Sequence, residues 1–170
     1  MEVTNFILDI LDSQQIVLMT ALDGLSYDEL TWRPGSETNP IGFILWHQIR
    51  DEDYIQGMIQ QQPQVWISEK WYEKLSMSDD PDEDGYGYTA EQVAAFIVPE
   101  LKDLLTYAEA TRAQTTEFLK ALHPGEIDRI IQTPYWGKQS IGQIFSSFLC
   151  EVIQHTGQIA YLRGLQRGME

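Results

Sequence analysis

The sequence contains three histidines, His47, His123 and His155, and a single cysteine, Cys150. Glu151 precedes His155 by four residues, so on a helix the two side chains share one face, with Cβ atoms roughly 5–6 Å apart. Such a pair can chelate one metal ion, and a third ligand from a facing helix would complete an open site with three protein ligands. His47 is the natural third ligand. Two imidazoles and one carboxylate suit zinc, nickel or iron, and leave coordination positions for water or substrate. A divalent metal held there would activate a bound water by lowering its pKa. No side chain stands out for the proton transfers. Asp51, Glu52 and Tyr54, which follow His47 by one to two turns, are the candidates.

The same residues carry plainer readings. Solvated helix faces also display Glu/His pairs at this spacing, as simple ion pairs. What favours burial is the stripe Ile144, Phe148, Glu151, His155, in which the polar pair continues an apolar row. A carboxylate on such a row is costly unless paired or coordinated. His47 equally suits a core histidine hydrogen-bonded to Asp51. His123 precedes Pro124-Gly125 and reads as a helix-end residue. Cys150 adjoins Glu151 but points about 100° away around the helix, which argues against a catalytic thiol. The run Asp79 to Asp84 lacks the alternating Asp spacing and distal Glu of a calcium loop, and reads as a solvated surface loop. The tryptophans at 32, 46, 66, 71 and 136 read as core or cavity lining. No P-loop, dinucleotide fingerprint, CxxC or GxSxG is present.

The elements that must position these side chains are helical. Apolar residues at helical spacing predict a first helix over Val3–Leu22, closed by Gly24. A connection follows over Leu25–Thr38, with Pro34-Gly35 as its turn pair. The second helix opens at Asn39-Pro40 and runs to about Ile59, carrying His47. Residues 64–88 form an irregular insertion with a short aromatic helix around Trp66, Trp71 and Tyr72. Thr89 and Gln92 form a capping box for a short helix ending at Val98. Pro99 then sits in the first turn of a third long helix that ends at Leu122. The fourth starts at Ser140, with Gln143 completing a second capping box, and runs to about Gly164, carrying Glu151 and His155. The similar starts Pro40-Ile-Gly42 and Ser140-Ile-Gly142 suggest close approach at both glycines. No alternating segment stands out. The expected fold is all-α, a four-helix bundle in one domain spanning residues 1–170.

Composition narrows the function. Eleven Lys+Arg against 26 Asp+Glu give a net charge of −15 in 170 residues. The basic residues are scattered singly, so neither nucleic acid nor an anionic membrane is an expected partner. An apolar fraction of 43% with 11% aromatics is globular. No apolar run approaches the ~18 residues of a membrane span, and no Lys or Arg precedes Arg33 to form a signal-peptide n-region. One cysteine excludes an intrachain disulfide and suits a reducing compartment. A cytoplasmic protein is expected. Broad helix faces with several Trp and Tyr also suit a homodimer.

Three stretches carry a family likeness. Leu22-Asp-Gly-Leu-Ser-Tyr-Asp-Glu-Leu-Thr-Trp-Arg-Pro34 and Asn39-Pro-Ile-Gly-Phe-Ile-Leu-Trp-His47 resemble the N-terminal half of DinB-like (DinB/YfiT-like) proteins, and Gln154-His-Thr-Gly-Gln-Ile-Ala-Tyr-Leu-Arg163 is similar to that family's closing helix. The resemblance implies an up-down-down-up bundle holding a divalent metal with three residues, one from the second helix and a pair spaced by four from the last. On this sequence they are His47, Glu151 and His155. Glu151 stands where a histidine is usual, and a carboxylate can coordinate a hard or borderline metal. Some similar proteins are thiol-dependent transferases, isomerases or hydrolase-like enzymes.

Two functions are therefore expected in competition. One is a metal-dependent enzyme whose activated water or thiol attacks a small electrophilic substrate between the helices and the aromatic insertion. The other is a non-catalytic bundle that binds a small apolar ligand or pairs with a second copy, its metal site vestigial.

Overall fold

A computed structural model describes residues 2–168. Four long helices dominate it: α1 (Val3–Leu22), α3 (Ile41–Gln60), α7 (Leu101–Ala121) and α8 (Ile141–Arg167). Short helices α2 (Tyr27–Thr31), α4 (Val65–Ser68), α5 (Trp71–Lys74) and α6 (Ala90–Ala95) lie in the connections. The structure is mostly helical, but not wholly. Strands β1 (Ile130–Thr133) and β2 (Gly137–Ser140) form an antiparallel hairpin before α8, pairing Ile130 with Ser140 and Thr133 with Gly137. The sequence reading missed this hairpin for a physical reason. Its burial alternates on β1 alone, and β2 buries no residue fully, so no period of two reaches the composition.

Local chemistry explains the helix starts. Thr89/Gln92 and Ser140/Gln143 form the expected reciprocal capping boxes. A third, Ser26/Glu29, opens α2 within what reads as a plain connection. Asn39 does not cap α3; Pro40 occupies the N-cap position without a side-chain hydrogen bond. Helix α6 stops at Ala95 rather than Val98, and α7 starts at Leu101, after Pro99. Gly42 is needed where it stands, since a Cβ there would overlap Val98 and crowd Leu30. Gly142 meets only Ile127 and its own cap, so the similarity of the two helix starts has no common packing cause.

Helix α8 packs on α1 and α3, and α7 packs on α3 and α1. Two apolar clusters fill the interior. One gathers Leu18, Trp46, Trp66, Leu104, Tyr107 and Ile159; the other gathers Leu11, Ile55, Leu119, Phe145 and Phe148. Chain direction follows from them: α1 and α8 run from the second cluster to the first, and α3 and α7 run the opposite way. Between the clusters lies a polar layer. Glu52 of α3 takes a bidentate ion pair from Arg112 of α7 at 2.7 and 2.9 Å and a hydrogen bond from Thr115 at 2.7 Å, while Gln14 of α1 donates to Thr156 of α8 at 2.7 Å. These buried polar groups are tolerable because they pair with one another. His47, Glu151 and His155 project from α3 and α8 close to this layer.

Candidate metal centre

The site is assembled from two helices and one loop. His47 sits a third of the way along α3, where its neighbours Trp46 and Gln48 are buried, so the ring is held between core and cleft. Its Nδ1 lies 2.7 Å from the backbone carbonyl of Asp84, in the insertion. A carbonyl only accepts, so Nδ1 carries the proton and Nε2 presents a lone pair. That Nε2 is 3.7 Å from Oε1 of Glu151. On α8, Nε2 of His155 is 2.8 Å from the same oxygen, and its Nδ1 is 2.8 Å from the side-chain oxygen of Gln158. The two imidazole rings stand nearly perpendicular, with centroids 5.0 Å apart.

The three residues expected from the sequence are thus side by side, each offering a ligand atom within 4.8 Å of the others. The donor set fits a divalent ion. Nε2 of His155 lies 2.8 Å from a carboxylate oxygen, a hydrogen bond when that nitrogen carries the proton and a lone pair for a metal when it does not. Donors about 2.0–2.1 Å from a tetrahedral ion stand about 3.3 Å apart, near the spacings seen. The bonds to Asp84 and Gln158 are the outer contacts that fix ligand tautomers and ring angles. Exposure is graded across the set: the His47 and His155 side chains are 12% and 13% exposed, whereas Glu151 is 42% exposed and reaches the cleft.

That cleft has a volume of about 520 Å³. Ile55 and Phe148 line its base, and Asp51 and Tyr54 extend it along α3. The insertion contributes Asp82, Asp84 and Tyr86, and the hairpin turn contributes Tyr135 and Trp136. Burial, reinforced by the charges of Glu151, Asp84 and Glu52, pushes the Asp51 carboxyl up to about 7. Burial also raises the Tyr54 phenol to about 12, with Tyr135 and nearby carboxylates adding to it. Of the three proton-transfer candidates, Asp51 and Tyr54 line the cleft. Glu52 does not, because Arg112 and Thr115 hold it inside the bundle.

Other expectations need correction. Asp51 is not the partner of His47; the Asp84 carbonyl is. The acidic run is only partly a solvated loop: Asp79 to Asp82 are exposed, but Glu83 and Asp84 are partly buried against the site. Cys150 is exposed and away from the cleft, His123 is an exposed loop residue, and Trp46, Trp66 and Trp71 are core residues while Trp136 lines the cleft. Gln158 was within reach of a sequence argument, since it lies three residues after His155 on the same face. Tyr135 and Trp136 were not, because the hairpin that presents them was not foreseen.

The mostly helical fold places two histidines and one carboxylate between its second and fourth long helices, and the fold has known relatives. The DinB superfamily profile matches residues 10–159, and the chain belongs to that superfamily. A crystal structure of a conserved protein from Enterococcus faecalis superposes with a TM-score of 0.87 at 23% identity, covering 99% of both chains. That likeness establishes the fold. Among curated proteins, none matches this sequence.

Proposed function

We propose that the chain is a metal-dependent enzyme acting on a small electrophilic substrate in the cleft. The four long helices form the up-down-down-up bundle of the family, in a single domain over residues 1–170. The observation that carries the reading is the convergence of His47, Glu151 and His155 within 4.8 Å, with His47 and Glu151 lining a 520 Å³ cleft. Those three residues would hold a divalent ion: zinc, nickel or iron. When bound, such an ion supplies the Lewis acidity that makes a nucleophile of a water or a low-molecular-weight thiol near neutral pH.

The remaining work falls to the chain itself. Asp51, with its carboxyl at about 7, can take a proton from an incoming nucleophile and return it to a leaving group at neutral pH. Tyr54 keeps its phenolic proton and can donate a hydrogen bond to developing negative charge. Tyr135 and Trp136 line the cleft from the hairpin turn and give a substrate an aromatic wall. No helix among the described residues is long and apolar enough to cross a membrane, which supports a cytoplasmic setting.

Elemental analysis tests the reading. Protein stripped with chelator and dialysed against a slight excess of zinc should retain about one ion per chain. Glu151→Leu should weaken retention by about tenfold or more, and Glu151→His should preserve it. Wild-type protein that retains no zinc, nickel or iron would overturn the proposal and leave a non-catalytic bundle with a vestigial site.

A further inference from the structure

The geometry points to an organic ammonium compound as the substrate of this cleft; the inference rests on the reading of the cleft as a substrate site. Three features support it. The first is charge. Asp51, Asp82, Asp84 and Glu151 all line the cavity, and no Lys or Arg does. Arg50, on the same helix, is fully buried and engaged by Asp53, Gln64 and Tyr107 and by the Pro81 and Glu83 carbonyls, so it neutralises nothing in the cleft. Even with Asp51 holding its proton, three carboxylates against one divalent ion leave one formal negative charge.

The second is the state of Asp51. Asp51 is partly buried on the cleft wall, and no hydrogen-bond donor among the described residues reaches its carboxylate. Buried carboxylates are ordinarily paired or hydrogen-bonded, as Glu52 and Asp53 are in this same helix. The contrast within two residues leaves the Asp51 carboxylate facing the cleft, open to a donor from outside the chain.

The third is the aromatic rim. Tyr135 and Trp136 stand on the hairpin turn 71% and 48% exposed, neither absorbed by the core, and the Tyr135 ring lies 6.5 Å from that of Tyr54. Aromatic faces around a space with an excess of carboxylates select a weakly hydrated organic cation, by attraction to the ring quadrupole. Small inorganic cations keep their water and gain little from such walls. The volume suits a small molecule rather than a folded basic segment.

Benzyltrimethylammonium is the probe, because it has a fixed positive charge and no lone pair to coordinate a metal. Calorimetric titration into full-length protein, in zinc-loaded and chelator-treated forms, should give saturable binding about tenfold or more tighter than benzyl alcohol, with benzoate failing to bind the chelator-treated form. Raising the salt should weaken the ammonium probe alone. Asp82→Asn and Trp136→Ala, both at exposed positions whose replacement leaves the fold intact, should each weaken it about threefold or more. Equal affinity for benzyl alcohol, absence of saturable binding, or unchanged affinity in both variants would overturn the inference. Zinc measured on the same samples separates the two claims: ammonium binding without zinc uptake sinks the metal reading alone, and zinc uptake without ammonium preference sinks this one alone.

Discussion

His47 and Asp51 lie one turn apart on α3 and meet opposite surroundings. The imidazole finds the Asp84 carbonyl, while the carboxylate finds only the charges of Glu151, Asp84 and Glu52. With its carboxyl at about 7 instead of near 3.8, Asp51 binds its proton more tightly in the folded chain than in the unfolded one. Between about pH 4 and 7 the folded state therefore holds more protons, and stability falls as pH rises through that window. Replacing Asp51 with Asn removes the penalty. A shift of this size corresponds to about 4 kcal/mol at most, cut to about 2 kcal/mol because the group is only partly buried. In metal-free protein, Asp51→Asn should thus stabilise by about 2 kcal/mol at pH 8 and by almost nothing at pH 4, read from denaturant melts. An equal effect at both pH values would show that Asp51 ionises normally. The Glu151/His155 pair was visible in the sequence because a spacing of four places two donors on one face. Asp84 was not visible, since the group that matters is a backbone carbonyl, which every residue has. Nor was the loss of Glu52 to Arg112, a pairing across two helices that no local spacing displays.

The insertion between α3 and α6 is irregular, yet it is tied to the bundle more firmly than a surface loop. The Arg50 guanidinium donates to the carbonyls of Pro81 at 2.8 Å and Glu83 at 3.1 Å, and Asp53 accepts the backbone N–H groups of Val65 and Trp66 at 2.7 and 2.8 Å. Burial raises the Asp53 carboxyl, opposed by the hydrogen bond from Tyr107, by those two backbone bonds and by the charge of Arg50. These contacts place Asp84, and through it the His47 ring. The turn closes at Gly85, whose φ of +85° suits glycine, and a Cβ there would lie 2.8 Å from the Phe43 and Trp46 rings. Gly85→Ala should therefore destabilise the chain by about 1–3 kcal/mol and weaken zinc binding by about tenfold, although residue 85 is no ligand. Melts and competition with a chromophoric chelator measure the two effects. Lost stability with unchanged zinc affinity would mean that the Asp84 carbonyl does not orient His47. Long helices were readable because burial repeats every three to four residues over five turns or more. This insertion is held by side chains reaching distant carbonyls, and the hairpin by a local turn in which Thr133 accepts from the Trp136 N–H at 2.9 Å and donates to the Gly137 carbonyl at 3.0 Å. Such bonds leave no period in the sequence.

Across the molecule, a metal ion would join α3 to α8, two helices that the sequence separates by about a hundred residues and that pack directly. The fold does not need that joint, since both apolar clusters close without His47, Glu151 or His155. Metal should therefore add stability by mass action, not create the fold. At a free zinc concentration about 100 times the dissociation constant, the gain is about 2.7 kcal/mol, or a rise in Tm of about 5–10 °C for a chain of this length. The net charge of −15 supplies a competing cause. Any divalent cation relieves self-repulsion among surplus carboxylates, so a bare rise in Tm with zinc would say nothing about the site. His47→Ala separates the two, because it leaves the charge untouched. The variant should melt within about 2 kcal/mol of wild type in chelator, respond to magnesium as wild type does, and lose the additional rise that zinc produces. The same zinc shift in both proteins would assign the effect to general charge relief and remove His47 from the metal centre. A much larger loss in chelator would make His47 a support for the core instead of a ligand.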